Sequence, residues 1–197
     1  MKTPYFFGYG SLVNRATHDF QNAHTARISG RRRAWRHFEG CKVAFLTAVP
    51  DANSEIAGLT AAVPGADWDY LDQREHSYDR VPAYDVKHNI SPAPDIHIYH
   101  APPERHVAAS TSRPVLLSYI DVVVQGYLRE FGEDAVADFF ATTDGWDAPI
   151  LDDRAEPIYP RHQVLKPIET ELVEHHLGAL RVKRVDPSSN IGAEFLP

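Results

Sequence analysis

Two groups in this chain have the types and spacing for anion binding and proton transfer. Near the start, Tyr5-Phe6-Phe7 breaks into Gly8-Tyr9-Gly10-Ser11-Leu12. An apolar run that turns through glycine can aim several backbone N–H groups at one point, because glycine reaches positive φ and has no Cβ to block close approach. The amides of Tyr9, Gly10, Ser11 and Leu12 would then cradle an anion; the plainer reading is a tight turn after an edge strand. Farther on comes Tyr70-Leu71-Asp72-Gln73-Arg74-Glu75, followed by Tyr78-Asp79-Arg80-Val81. Taken alone, Glu75 is either a proton-transfer carboxylate or a surface group ending a helix beside Arg74 or Arg80. Tyr78 either orients that carboxylate and lines a pocket, or packs as an aromatic opening a strand.

Taken together, the Gly-Tyr-Gly-Ser-Leu loop and the Leu-Asp-x-Arg-Glu segment with its nearby Tyr resemble the γ-glutamylcyclotransferase superfamily, whose branches include ChaC-like and AIG2-like proteins. The resemblance runs from Tyr5 to about Val86 and includes the Arg-rich segment with Trp35 and Phe38. Where ChaC-like members show glycines after Arg-Glu, this chain has His76-Ser77-Tyr78, closer to the AIG2-like pattern. The resemblance implies an enzyme that closes a γ-glutamyl compound into 5-oxoproline and expels an amine, amino acid or dipeptide. That is an intramolecular aminoacyl transfer with a lyase-type outcome, glutathione being one such substrate. It also implies Glu75 as general acid/base, the Tyr9 to Leu12 loop as the cradle for the γ-glutamyl moiety, and no cofactor. The alternative is an idle member that binds a small acidic metabolite or a protein partner in the same pocket, with the C-terminal third capping or filling it.

Other chemistries fit the residues less well. Ser11 as a nucleophile with one of the 11 histidines lacks the Gly-x-Ser-x-Gly elbow. Cys41, the single cysteine, precedes a strand-like run with no activating partner, which suits a buried structural thiol. His97, His100 and His106, or Glu171 with His175 and His176, give no placed third ligand, so no metal is expected. Arg31-Arg32-Arg33 with Trp35 and Arg36 mixes cations with an aromatic as single-strand binders do. Alternation through Ile28, Arg33, Trp35 and Phe38 instead fits a strand with one solvated face. With 20 basic and 27 acidic residues, the net charge of −7 also disfavours nucleic acid or an anionic membrane as partner.

The elements that must position these groups are β-rich first and helical later. Candidate strands are Tyr5 to Tyr9, Ala26 to Phe38, Val43 to Val49, Ile56 to Val63, Ala83 to His88 and Ile96 to His100. A short helix starting at Gly65-Ala66-Asp67 should carry Trp68 and Leu71 and deliver Glu75 at its end. Pro114 suits the first turn of a helix through Leu116, Tyr119, Ile120, Val123 and Tyr127. Further helices are expected from Glu133 to Phe140 and from Ile168 to Leu177, with an ordered loop over 142–166. The fold class is therefore α+β, a small mixed β-barrel or strongly curved sheet with a few packed helices.

The division expected is a barrel domain over 1–131, a helical and loop extension over 132–185 packed on it, and a loose tail over 186–197. One cysteine excludes an internal disulfide, and the sequence shows neither a leader-like start nor a long apolar stretch. A cytoplasmic protein acting on a small molecule is the expectation.

Overall fold

The computed structural model describes residues 2–187. Along the chain run β1 (Tyr5–Gly8), β2 (His24–Phe38), β3 (Ala44–Ala62), α1 (Asp69–Arg74), β4 (Asp79–Pro82), β5 (Val86–Lys87), β6 (Ile96–His100) and β7 (His106–Ala108). These are followed by β8 (Val115–Leu116), α2 (Leu117–Phe131), α3 (Glu133–Ala141), β9 (Thr143–Asp144), β10 (Ile150–Leu151), α4 (Pro167–Leu180) and β11 (Arg184–Val185). Eight strands make one sheet in the order β4-β6-β1-β3-β2-β5, with β7 and β9 also pairing with β2, and β11-β10-β8 make a second. The architecture is the expected α+β class, a curled half-barrel sheet with helices packed on it.

The curl originates in the hairpin of β2 and β3, 15 and 19 residues long. Twist accumulates along strands of that length, and a register irregularity between Ser29 and Arg31 bends the pair further. Opposite it, the Asp51 carboxylate accepts from the Asn53 amide at 3.1 Å and the Ser54 hydroxyl at 2.6 Å. This local turn is absorbed as a bulge, so the two strands expected over 43–49 and 56–63 are one. Residues 83–88 were expected as a strand; only Val86–Lys87 pairs with β2, because Asp85 at φ 57° breaks the extended run.

β1 lies between β3, antiparallel, and β6, parallel, which is why its residues are apolar on both faces. Phe7 joins the main core with Ile120, Val123 and Tyr127 of α2, while Phe6 packs on the opposite side with Leu12, Trp68, Leu71 and Tyr99. The fully buried Leu71 thus fixes α1 against the back of β1, an anchor worth about 2–5 kcal/mol on truncation to alanine. Gly65 and Ala66, both at positive φ, form a turn ahead of the helix, so α1 starts at Asp69.

Pro114 lies outside the helix it was expected to open: Val115 and Leu116 pair in parallel with β10, and α2 begins at Leu117. Cys41 is half-buried in the β2–β3 connection after Gly40 (φ 75°), not in the core. In the stretch 142–166, β9 pairs along Arg33 and Ala34, and Trp146 packs against Phe140 and Trp35 at 5.3 and 5.6 Å. Of the tail expected from residue 186, all past Pro187 lies outside the described residues. Among the described residues no helix is long and apolar enough to cross a membrane.

Candidate active site

The loop after β1 is tight. Val13 donates to the Gly10 carbonyl at 3.0 Å and Asn14 to Ser11 at 3.1 Å, closing a single 3-10 turn whose leading amides have no acceptor within the turn. Glycine is needed here for close approach, and the positive φ expected of it is not used: neither Gly8 nor Gly10 is left-handed. A Cβ on Gly8 would stand 2.4 Å from Leu12 Cβ, and one on Gly10 would stand 2.4 Å from the Tyr119 hydroxyl.

Helix α2 holds the loop from one side. Asn14 Nδ2 donates to the Val122 carbonyl and to Gln125 Oε1, both at 3.0 Å, and the helix comes this near because residue 126 is glycine. Beneath the loop, the Tyr127 hydroxyl stands 2.9 Å from the Tyr9 carbonyl and accepts from Arg33 Nη1 at 3.0 Å. Arg33 is only 2% exposed and lies against the rings of Tyr127 and Phe139. It therefore belongs to the buried face of β2 as a support for the loop, while its neighbour Arg32 pairs with Asp144 at 2.8 Å.

Arg74, the last residue of α1, joins this loop to the second segment. Its side chain, 2% exposed, donates to the Thr17 carbonyl at 2.9 Å, to Thr17 Oγ1 at 3.2 Å, to Ser11 Oγ at 3.1 Å and to Glu75 Oε1 at 3.1 Å. A planar guanidinium can serve all four acceptors in fixed directions, which an ammonium cannot. Glu75 caps the helix, its amide bonded to the Leu71 carbonyl. Its carboxylate faces the cleft with 18% of the side chain exposed. Burial pushes the Glu75 pKa above the ordinary carboxylate value, with Arg74 and Arg161 pulling the other way. A carboxylate so placed is a better proton acceptor at neutral pH than a solvated one.

The cleft has two chambers. The inner one, about 330 Å³ counted out to the open cleft, is lined by the loop from Gly8 to Leu12 and by Tyr99. The outer one, about 610 Å³ with its open mouth, is walled by Trp35, Val43, Phe45, Leu116, Tyr159 and Arg161. Ser11, Leu46, Glu75, Tyr78 and Tyr119 border both, so the carboxylate stands at the junction. Such a space can hold an anion at the loop, a proton-transfer step at Glu75 and a second moiety outside.

All six residues singled out from sequence converge here, though not every side chain as imagined. Tyr9 turns its hydroxyl inward to the Tyr99 carbonyl at 2.7 Å, so its backbone is what it offers the chamber. Tyr78 donates to the Leu46 carbonyl at 2.8 Å and packs on Phe38; it lines the wall and does not orient Glu75. Ser11 accepts from Arg74, and nearby His18 has Nε2 on the Leu12 carbonyl; among the described residues no histidine is hydrogen-bonded to the Ser11 hydroxyl. Among the described residues no group of three His, Cys, Asp or Glu is placed to hold a metal ion.

Three cleft residues escaped the sequence reading. Tyr119 read as one more apolar position on the α2 stripe, yet its hydroxyl stands beside the Ser11 backbone amide, and burial raises its pKa so that it stays protonated. Tyr159 and Arg161 lie in a segment without any motif. The buried carboxylate of Asp153 accepts from the Ser118 amide at 2.8 Å and the Ile158 amide at 2.9 Å. It thereby caps α2 and turns the chain back over the cleft. Tyr159 then meets Tyr119 edge-on at 5.0 Å.

The profile of the family described as ChaC-like protein matches residues 4–147. No curated protein matches the sequence. Among solved structures, the fold is similar to YkqA from Bacillus subtilis, with TM-score 0.56 and 19% identity over 74% of this chain. The chain spans 57% of the length of that protein. It is also similar to a protein titled gamma-glutamyl cyclotransferase, with TM-score 0.54 and 13% identity over 88% of this chain and 99% of that one. The uncharacterized protein loc79017 from Homo sapiens gives TM-score 0.56 at the same identity and coverages.

Proposed function

The chain belongs to the ChaC-like protein family, within the γ-glutamylcyclotransferase superfamily, and on that premise we propose that it cyclises a γ-glutamyl compound to 5-oxoproline with release of an amine. The observation that carries this reading is the shared cleft: Glu75 and the Ser11 loop border the same two chambers and are tied together by Arg74.

In this reading the substrate α-carboxylate rests on the loop amides of Gly10, Ser11 and Leu12, which leaves the α-amine near Glu75. As the amine nitrogen attacks the γ-carbonyl carbon, a C–N bond forms and Glu75 takes a proton from that nitrogen. The carboxyl group then delivers the proton to the leaving nitrogen as the original amide C–N bond breaks. The proton that the substrate ammonium loses to water beforehand is regained by the free amine, so none is consumed. The Tyr119 hydroxyl, beside the Ser11 amide, is the donor for charge building on the amide oxygen. Both reacting groups belong to one molecule, so holding the substrate folded is itself much of the catalysis.

Among the described residues, the stretch 148–187 lines the outer chamber without filling it, which favours turnover over the idle alternative. Glutathione is one candidate substrate, and the cytoplasm is the compartment this reading implies. Purified protein incubated with glutathione, γ-glutamyl amino acids and γ-glutamylamines should release 5-oxoproline from at least one. A panel that binds but gives no product contradicts the reading.

A further inference from the structure

The ring-closing chemistry has no use for Arg161. This residue reaches the outer chamber from the stretch between β10 and α4, past residue 147 where the family match ends. Among the described residues its guanidinium has no hydrogen-bonded or ion-paired partner, whereas Arg32, Arg74 and Arg154 are each paired with a carboxylate. It borders the same space as Glu75 and acts on it electrostatically. Its position is built: Asp153 fixes the turn, the Tyr159 amide donates to Ser118 Oγ at 3.4 Å, and the Tyr159 ring packs on Tyr119. Trp35, Val43, Phe45, Leu46 and Leu116 give the same chamber an apolar stretch of wall.

Given the cyclotransferase reading, on which this rests, the scissile bond lies at Glu75. The γ-glutamyl part takes the inner chamber, and the leaving part must occupy the outer one. We propose that Arg161 recognises a carboxylate on that leaving part, so that the preferred substrate is a γ-glutamyl amino acid or peptide releasing a group with an apolar side chain and a free carboxylate. A γ-glutamylamine would leave the guanidinium without an anion and is the poorer substrate. One charge-assisted pair in a partly shielded site gives a preference of about 10- to 100-fold.

The test compares γ-glutamyl-leucine with γ-glutamyl-isopentylamine, which differs by the leaving-group carboxylate alone. The wild type should favour the former by about 10- to 100-fold in kcat/KM, mostly through KM. Arg161→Gln should bring the ratio close to one, and Arg161→Lys should keep part of it. If Arg161 served only to tune Glu75, Arg161→Gln would move the pH profile for both substrates together and leave their ratio intact. That result, or a wild type indifferent to the carboxylate, overturns the proposal. Calorimetric binding separates it from the reaction itself. Binding that favours the carboxylate and is levelled by Arg161→Gln, without 5-oxoproline, supports the recognition and rejects the cyclotransferase. No product and no binding preference rejects both.

Discussion

Arg74 and Ser11, 63 residues apart in sequence, are joined by a 3.1 Å hydrogen bond from guanidinium to hydroxyl. The same guanidinium holds the Thr17 carbonyl and Glu75, so the geometry of the cleft depends on one side chain reaching both segments. Arg74→Lys keeps the charge but cannot span these acceptors together. Steady-state kinetics should show kcat/KM down by about 10- to 100-fold, the scale expected when reacting groups lose their alignment.

In the proposed reaction Glu75→Gln removes the proton shuttle and should lower kcat by about 10²- to 10⁴-fold. The same change should stabilise the fold. Because burial raises the native-state pKa of Glu75, the native protein holds its proton to higher pH than the unfolded chain, and stability falls as pH rises from the ordinary value of 4.5 through the raised one. Above that window the cost is fully present, and glutamine escapes it. Thermal unfolding should therefore show Glu75→Gln with the higher Tm at pH 8, the difference closing as pH is lowered toward 4.5. Wild-type kcat/KM should fall on the acid side as Glu75 becomes protonated, and a lower Tm for the variant at pH 8 would count against a buried, destabilised carboxylate.

Gly10→Ala places a methyl group 2.4 Å from the Tyr119 hydroxyl, which must move away from the Ser11 amide. Since Tyr119 is anchored in α2, relief comes from the loop or from the wall shared by both chambers. Loss of a hydroxyl donor to the amide oxygen costs about 10²- to 10³-fold in kcat on the oxyanion-hole scale. Tyr119→Phe should reproduce the loss in kcat with less effect on KM, whereas Tyr78→Phe, whose hydroxyl serves Leu46, should change kcat far less.

Asp153→Ala leaves the buried amide of Ser118 without its acceptor, at about 1–3 kcal/mol, and the partly buried amide of Ile158 at less. The turn that presents Tyr159 and Arg161 should loosen. Urea unfolding is expected to show the lower midpoint, and KM should rise even where the remaining fold is intact.

Much of this arrangement was legible in the sequence because it is local or strongly patterned. β1 reads as apolar, α1 after Leu71 closes on Arg74 and presents Glu75 at its cap, and the loop follows the first strand without an intervening residue. What escaped depends on distant pairings. The continuity of β3 through Asp51 to Ser54 depends on side-chain turn bonds within a bulge. Pro114 looked like a helix start because nothing local shows that Val115 and Leu116 pair with residues 150 and 151. The glycines were expected for positive φ and for close approach; only the second is used, and for Gly10 the close neighbour is a tyrosine 109 residues later in the chain. Arg161 carries no motif at all, and its place follows from the Asp153 cap on α2.

The most direct measurement is a crystal structure of Glu75→Gln with a bound γ-glutamyl compound. The α-carboxylate should lie on the amides of Gly10 to Leu12 and the α-amine within about 3 Å of the residue-75 side chain, the reach of a proton-transferring hydrogen bond. A γ-glutamyl group seated elsewhere, or bound with its amine turned away from residue 75, would contradict it.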